Sequence, residues 1–244
     1  MLSVYYACRV ALLVFFLKIS KSYYYKAFLK GFFIIIAMKA RKGALCIYCR
    51  YVKRFLDVLF SAILIIFLFP LMLVISVAII SESSGGVIFK QYRMGKNGKA
   101  FLCYKFRTMR KDAPPCVPAR ELAEPEKYVT RIGRLLRRSS LDEIPQLFNV
   151  LRGEMSIVGP RPLICEEREV HKMRESAGIY KLRPGLTGLA QINGRNLLCD
   201  SEKLENDKHY LDNVRMRLDA KIVLMTVGCV FAGKGITSGN NIDK

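Results

Sequence analysis

The chain has 244 residues, 52% of them hydrophobic, with a mean hydropathy of +0.19 and 40 Lys+Arg against 20 Asp+Glu, a net charge of +20. That length leaves room for one real core plus extra helices, not several domains. Apolar character joined to strong basicity points to a membrane protein with an anionic partner; charge alone does not choose among lipid headgroups, nucleotide phosphates and nucleic acid.

Residues 1–50 hold two short apolar runs, 10–17 and 31–38, with Lys18, Lys21, Lys26 and Lys30 between them and Lys39, Arg41 and Lys42 after. Each run is too short to cross a bilayer, and no small-x-small cleavage site follows the first. The segment is expected to be an interfacial or little-structured extension without chemistry. Cys46 and Cys49 form a C-x-x-C, but no second pair stands at zinc spacing and His171 and His209 are far away in sequence. No thioredoxin-type βαβ pattern surrounds the pair, so reduced thiols in cytosolic surroundings are expected.

Residues 58–80 are 23 positions without a charge, long enough to cross the hydrocarbon core. Pro70 lies in the middle, where it removes a backbone hydrogen bond and clashes with the preceding turn. Both flanks are basic: Lys39, Arg41, Lys42, Arg50, Lys53 and Arg54 before, and Lys90, Arg93, Lys96, Lys99, Lys105, Arg107, Arg110 and Lys111 after. Positive charge marks the cytoplasmic side. A helix that breaks at Pro70 and leaves by the face it entered satisfies both flanks, and this re-entrant form is expected over an ordinary kinked span.

From residue 87 the chain reads as soluble. Residues 87–92 and 101–106 alternate like strands around Gly95-Lys96-Asn97-Gly98, which predicts a β-hairpin. Proline-rich 113–125 reads as a loop, 128–138 as a basic helix and 141–151 as a second helix. Residues 155–158 read as a strand leading into Gly159-Pro160-Arg161-Pro162, 166–177 as a charged helix, Arg183-Pro184-Gly185 as a turn and 204–224 as a helix. The apolar run 222–232 is too short to span; with basic 215–221 before it, an interfacial position is expected.

Asp142-Glu143, beside Arg137 and Arg138, are the foremost candidates for chemistry. A carboxylate held ionised by arginines can attack phosphorus or bind a metal. The same residues also fit a capping box, Ser140-Leu141-Asp142-Glu143, although Pro145 would then fall at the fifth helical position, so the helix could start later. Arg161, fixed between two prolines, suits bidentate phosphate recognition or pairing with Glu166 or Glu167. Lys105 and Arg107 could line an anion site or form a solvated face. The stretch 189–195 ends in a turn whose side chains could hydrogen-bond a ligand. No Walker A loop, G-x-G-x-x-G or H-E-x-x-H is present.

Together the motifs resemble the bacterial sugar transferase family, the monotopic phosphoglycosyl transferases. The matching blocks are Lys53-Arg54-x-x-Asp57, Gln91-x-Arg93-x-Gly95, Tyr104-Lys105-Phe106-Arg107-Thr108-Met109 and Ser140-Leu141-Asp142-Glu143-x-Pro145-Gln146-Leu147-x-Asn149-Val150. They continue through Gly153-x-Met155-Ser156-x-Val158-Gly159-Pro160-Arg161-Pro162, Arg183-Pro184-Gly185-x-Thr187-Gly188 and Ala190-Gln191-x-Asn193-Gly194-Arg195. The match runs in order from about residue 51 to 235 and resembles the small, monofunctional kind. The resemblance implies transfer of a sugar 1-phosphate from a UDP-sugar to polyprenyl phosphate with release of UMP, and a requirement for Mg²⁺. It implies Asp142 as nucleophile, with Glu143 assisting the site or the magnesium. Arg137 and Arg161 would contact phosphates, with Lys105, Arg107 and Arg183 as further phosphate-binding candidates. The re-entrant helix would break at Pro70. Two positions depart from the family pattern: Phe69 stands where serine usually precedes that proline, and Leu189 where an aromatic usually precedes Ala190.

The expected fold is therefore α+β: a re-entrant membrane helix and interfacial helices with a small cytoplasmic domain containing a β-hairpin. Its parts are an extension at 1–50, a helix–break–helix at 51–84, a catalytic domain at 85–238 and a tail at 239–244. The expected place is the cytoplasmic face of the bacterial inner membrane, in the initiation of surface-glycan assembly. The short form leans toward N-acetylated, often deoxy, sugars. Nucleic acid is not an expected partner, and the oligomeric state is left open. The alternative is a non-catalytic basic module for membrane surfaces or nucleic acid, which would need neither dyad, metal nor Pro-Arg-Pro turn.

Overall fold

The computed structural model describes residues 47–113, 125–194 and 197–232. The expectations for residues 1–46, for 114–124 of the proline-rich loop and for the tail at 239–244 lie outside the described residues. Apart from Tyr48, the elements below belong to the unit Cys49–Lys244.

A π turn at Tyr48–Val52 leads into α1, Lys53–Glu82. α1 is one helix of 30 residues with Pro70 inside it, so the expected break into two helices is not observed. Packing on both sides of the proline offsets its missing hydrogen bond: Leu68 and Met72 rest on the same core cluster. Asp57, Ser61, Ile75 and Ile79 are buried, and Ile65, Leu68 and Met72 pack inward between them. Steps of three and four residues make this one continuous helical face. On the other face Phe60, Ile66, Phe67, Phe69, Val74 and Val77 are at least half exposed.

Both ends of α1 are tied to the same domain. Arg54 donates to the carbonyls of Val150 and Leu151 at 2.6 and 2.8 Å, Lys53 meets Asp219 at 2.5 Å, and Asp57 accepts from the Ile157 N–H at 3.0 Å. At the other end Glu82 accepts from the N–H groups of Arg131 and Ile132 at 2.6 and 2.8 Å. Arg107 donates to the carbonyls of Ser83 and Ser84 at 2.6 and 3.0 Å.

The hairpin forms as expected: β1, Ile88–Met94, pairs antiparallel with β2, Ala100–Phe106. Asn97 and Gly98 make the turn with φ of 57° and 69°. The basic helix expected over 128–138 is split. One turn at Pro125–Tyr128 ends where Val129 bridges to Met109, and α2 follows over Arg131–Ser139, capped by the Thr130 hydroxyl, which accepts from Gly133 N–H at 2.9 Å. A 3₁₀ turn, Leu141–Glu143, precedes α3, Gln146–Arg152, with Pro145 as its N-cap; the second helix starts after the proline.

β3, Ser156–Val158, precedes α4, Arg168–Ser176. Residues 183–185, expected as a turn, instead lead into β4, Gly185–Thr187, which pairs in parallel with β3. A Cβ at Gly185 would stand 2.1 Å from the Gly159 nitrogen, so the two glycine-bearing motifs meet backbone to backbone. α5 is Leu189–Asn193. The single helix expected over 204–224 is two, α6 at Asp200–Asp212 and α7 at Met216–Ala232. The chain turns at buried Val214, which lets the Tyr210 hydroxyl donate to Asp219 at 2.7 Å.

The core draws on α1 directly: Ile75 and Ile79 pack with Phe106, Leu136, Ile144 and Leu147. Phe101, Cys103, Val150 and Met155 form a second cluster. Among the described residues the fold mixes helices with two small sheets, and α1 supplies part of its core.

Candidate active site

Asp142 and Glu143 occupy the 3₁₀ turn that joins α2 to α3. Ser140 enters this turn in the left-handed region (φ 58°, ψ 16°) and makes no side-chain cap. The capping-box reading is thereby overturned. A left-handed non-glycine residue is strained by about 1–2 kcal/mol, and such strain is concentrated at functional sites.

Glu143 turns instead to the hairpin. Its Oε1 accepts from Lys105 Nζ at 2.7 Å and lies 3.5 Å from Arg161 Nη2, while Asp142 Oδ2 is 3.9 Å from the same lysine. Burial pushes the Asp142 carboxyl above the usual range. Lys105 opposes this, the Glu143 charge adds to it, and Arg137 and Arg161 pull it back. Arg137 is anchored by its Nε, which donates to Thr108 Oγ1 at 2.9 Å.

The turn that carries Arg161 is held from behind. Arg174 Nη1 donates to the Arg161 carbonyl at 2.7 Å, and Arg93 Nη1 donates to the Pro162 carbonyl at 3.1 Å. Arg174 is itself paired with Asp207 at 2.6 Å, with side chains 6% and 2% exposed. Burial pushes Asp207 up to about 6 in spite of that arginine.

A small open cleft lies here, lined by Arg93, Cys103, Lys105, Glu143, Gln146, Arg161, Pro162, Gly185 and Leu186. Arg93 is a cleft residue that the sequence reading placed in the basic flank and in a motif, without a site role. It donates to Gln91 Oε1 at 2.8 Å and has no carboxylate at ion-pair distance among the described residues. Burial, then Arg161, pull its guanidinium below the usual arginine range. The available signal was Gln91-x-Arg93, two polar residues two apart on one face of a strand. Burial pushes the Cys103 thiol up, which keeps it neutral at ordinary pH.

The structure thus brings Asp142, Glu143, Lys105, Arg137 and Arg161 together and adds Arg93. It does not bring Arg107 or Arg183 to the dyad. Arg107 clamps the end of α1, and Arg183 Nε donates to the Gly153 carbonyl at 2.8 Å. Four cations around two carboxylates leave a positive surplus suited to a phosphate ligand.

No group of three or more His, Cys, Asp or Glu converges among the described residues. Mg²⁺ is commonly held by one or two carboxylates, with water and substrate phosphates completing its shell. The Asp142–Glu143 pair fits a cation that arrives with a diphosphate.

The model of one protein family, described as bacterial sugar transferase, matches residues 48–233. Among curated proteins, the chain is 39% identical over 191 residues to the uncharacterized sugar transferase EpsL of Bacillus subtilis, covering 78% of this chain and 92% of that protein. It is 40% identical over 200 residues to the exopolysaccharide production protein ExoY of Sinorhizobium fredii, covering 75% and 87%. It is 42% identical over 184 residues to the UDP-glucose:undecaprenyl-phosphate glucose-1-phosphate transferase of Caulobacter vibrioides, covering 72% and 68%.

Proposed function

The chain belongs to the bacterial sugar transferase family, and from that premise we propose that it transfers a sugar 1-phosphate from a UDP-sugar to a polyprenyl phosphate and releases UMP. The observation that carries the reading is the half-buried Asp142–Glu143 dyad facing Lys105 and Arg161, beside a cleft that Glu143 lines, on a domain that packs against an apolar helix.

In the first step an Asp142 carboxylate oxygen attacks the phosphorus that bears the sugar. The bond to the UMP oxygen breaks, and UMP leaves with the electron pair. A phosphate oxygen of the lipid then attacks the aspartyl phosphate and frees the Asp142 carboxylate. Burial keeps Asp142 poorly solvated and hence a better nucleophile once ionised. Lys105, Arg137 and Arg161 lower the cost of that ionisation and of the charge on the phosphates. Asp142 and Glu143 would hold Mg²⁺, which supplies further neutralisation of the diphosphate.

The active site belongs at headgroup depth on the cytoplasmic face of the bacterial inner membrane. A monotopic placement of α1, with both ends on one face, is supported by its contacts with a single domain. A 30-residue helix is about 45 Å long, yet its inner face meets one domain from Arg54 to Glu82. Exopolysaccharide assembly is the cellular role suggested by the name of the ExoY relative. The donor class is open to test: a relative named for UDP-glucose gives no support to the lean toward N-acetylated sugars.

The test is UMP release by protein held in nanodiscs, with undecaprenyl phosphate, Mg²⁺ and a panel of UDP-sugars. Release with one donor, abolished in Asp142→Asn, is expected. Full release by that variant would remove the covalent route, and no release with any donor would remove the transferase reading.

A further inference from the structure

Helix α3 carries two buried side-chain amides one turn apart, and the fold treats them differently. Asn149 is fully committed: its Nδ2 donates to Leu102 O and Glu154 Oε2, both at 2.7 Å, and its Oδ1 accepts from Tyr104 N–H at 3.1 Å. Gln146 is 3% exposed and lines the cleft, and among the described residues its side-chain amide is given no hydrogen bond. Among the described residues, the sealed side-chain polar atoms without a partner are Arg107 Nε and Gln191 Oε1. The Gln146 amide is not one of them, so its nitrogen and oxygen hold the little accessibility this residue keeps, toward the cleft.

Polar groups in native proteins are nearly always bonded, and an amide that the fold leaves without a protein partner at the cleft is bonded by what the cleft holds, water or ligand. A leucine or methionine would fill the same place without a polar group to serve. The amide is therefore available to what enters the cleft. Gln146 sits one helical turn after Glu143, whose carboxylate is already served by Lys105 and Arg161. Cations cover the charged phosphates. A neutral amide offers one acceptor and two donors, which match a neutral group that both gives and takes a hydrogen bond.

We propose that Gln146 contacts the sugar-nucleotide donor through a neutral hydrogen-bonding group beside its diphosphate. A sugar hydroxyl or acylamino group and the uracil imide share this chemistry. The inference rests on the transferase reading and adds to it a residue that reads the donor.

The test compares wild-type protein in nanodiscs with Gln146→Met and Gln146→Leu, using the donor that wild type prefers. Loss of one such bond is expected to raise the donor KM about tenfold while kcat changes less than about threefold. The KM for polyprenyl phosphate and the melting temperature should stay level, or the melting temperature should rise. Inhibition by UMP separates the two sources: an unchanged inhibition constant assigns the contact to the sugar, and one raised alongside KM assigns it to the uracil. An unchanged donor KM in both variants overturns the proposal. So does a lower melting temperature in both, which would return the amide to the fold. Wild-type protein that releases no UMP removes the transferase reading and this inference with it, and that control distinguishes the two failures.

Discussion

Asp142 is the residue at which function and stability pull apart. Burial raises its carboxyl pKa in the folded chain, so folding favours the protonated form. Its contribution to stability is greatest below the ordinary carboxylate range and is lost as pH rises through the raised value. At neutral pH the ionised side chain works against the fold. Asp142→Asn is therefore expected to melt higher than wild type at pH 7.5, with the difference shrinking as the pH approaches ~4. Melting curves of both proteins across that range check this; a variant that melts lower at pH 7.5 would refute it. For the same reason the acid limb of the activity profile should lie above the usual carboxylate range.

At the scale of elements, the turn between β3 and α4 depends on a pair outside the cleft. Arg174 holds the Arg161 carbonyl and is buried with Asp207. Arg174→Met would leave that carboxylate buried without its partner, a loss of about 3–5 kcal/mol. Asp207 sits at about 6 already, and its folded value would rise further without the arginine. The loss should be largest at neutral pH and above, and should ease as falling pH protonates Asp207. Urea unfolding at pH 5 and pH 8 measures it. Equal losses at both would show that Asp207 is not the reason. The double replacement Arg174→Met with Asp207→Leu should recover most of the stability, because it removes the uncompensated charge.

For the whole molecule, α1 is part of the core and, on the proposed function, also the anchor. Its inner face closes the cluster around Phe106 and Leu147, and its outer face leaves large apolar side chains uncovered. Such a patch marks a surface that another apolar phase covers, and the proposed function assigns it to lipid. If α1 enters and leaves by one face, Tyr51→Cys and Ser84→Cys, each on a cysteine-free background, should both resist an impermeant maleimide in intact cells. Both should react once the cytoplasm is opened. Labelling of either from outside would show a spanning helix.

How much of this was legible beforehand depended on the range of the interactions. Local pattern was enough for the hairpin, from alternation around Gly95–Gly98, and for the long charge-free stretch around Pro70. The ordered motifs marked Asp142, Glu143, Lys105, Arg107, Arg137, Arg161 and Arg183 as candidates, and the family match spans the stretch that carries them. Tertiary contacts decided the rest. The capping box gave way because Lys105, 38 residues away, offered Glu143 a stronger partner than a backbone N–H. The break at Pro70 gave way to packing on both of its sides. Arg107 and Arg183 carry the same charge as Arg161, but distant backbone carbonyls claimed them. The parallel pairing of β3 with β4 joins segments that carry no mark of one another in sequence. Composition and periodicity, set by neighbours along the chain, marked an apolar, basic protein and its elements, and the resemblance carried by its motifs marked the candidate residues. Which cations face the dyad was settled by groups far apart in sequence, which only the folded chain brings within bonding distance.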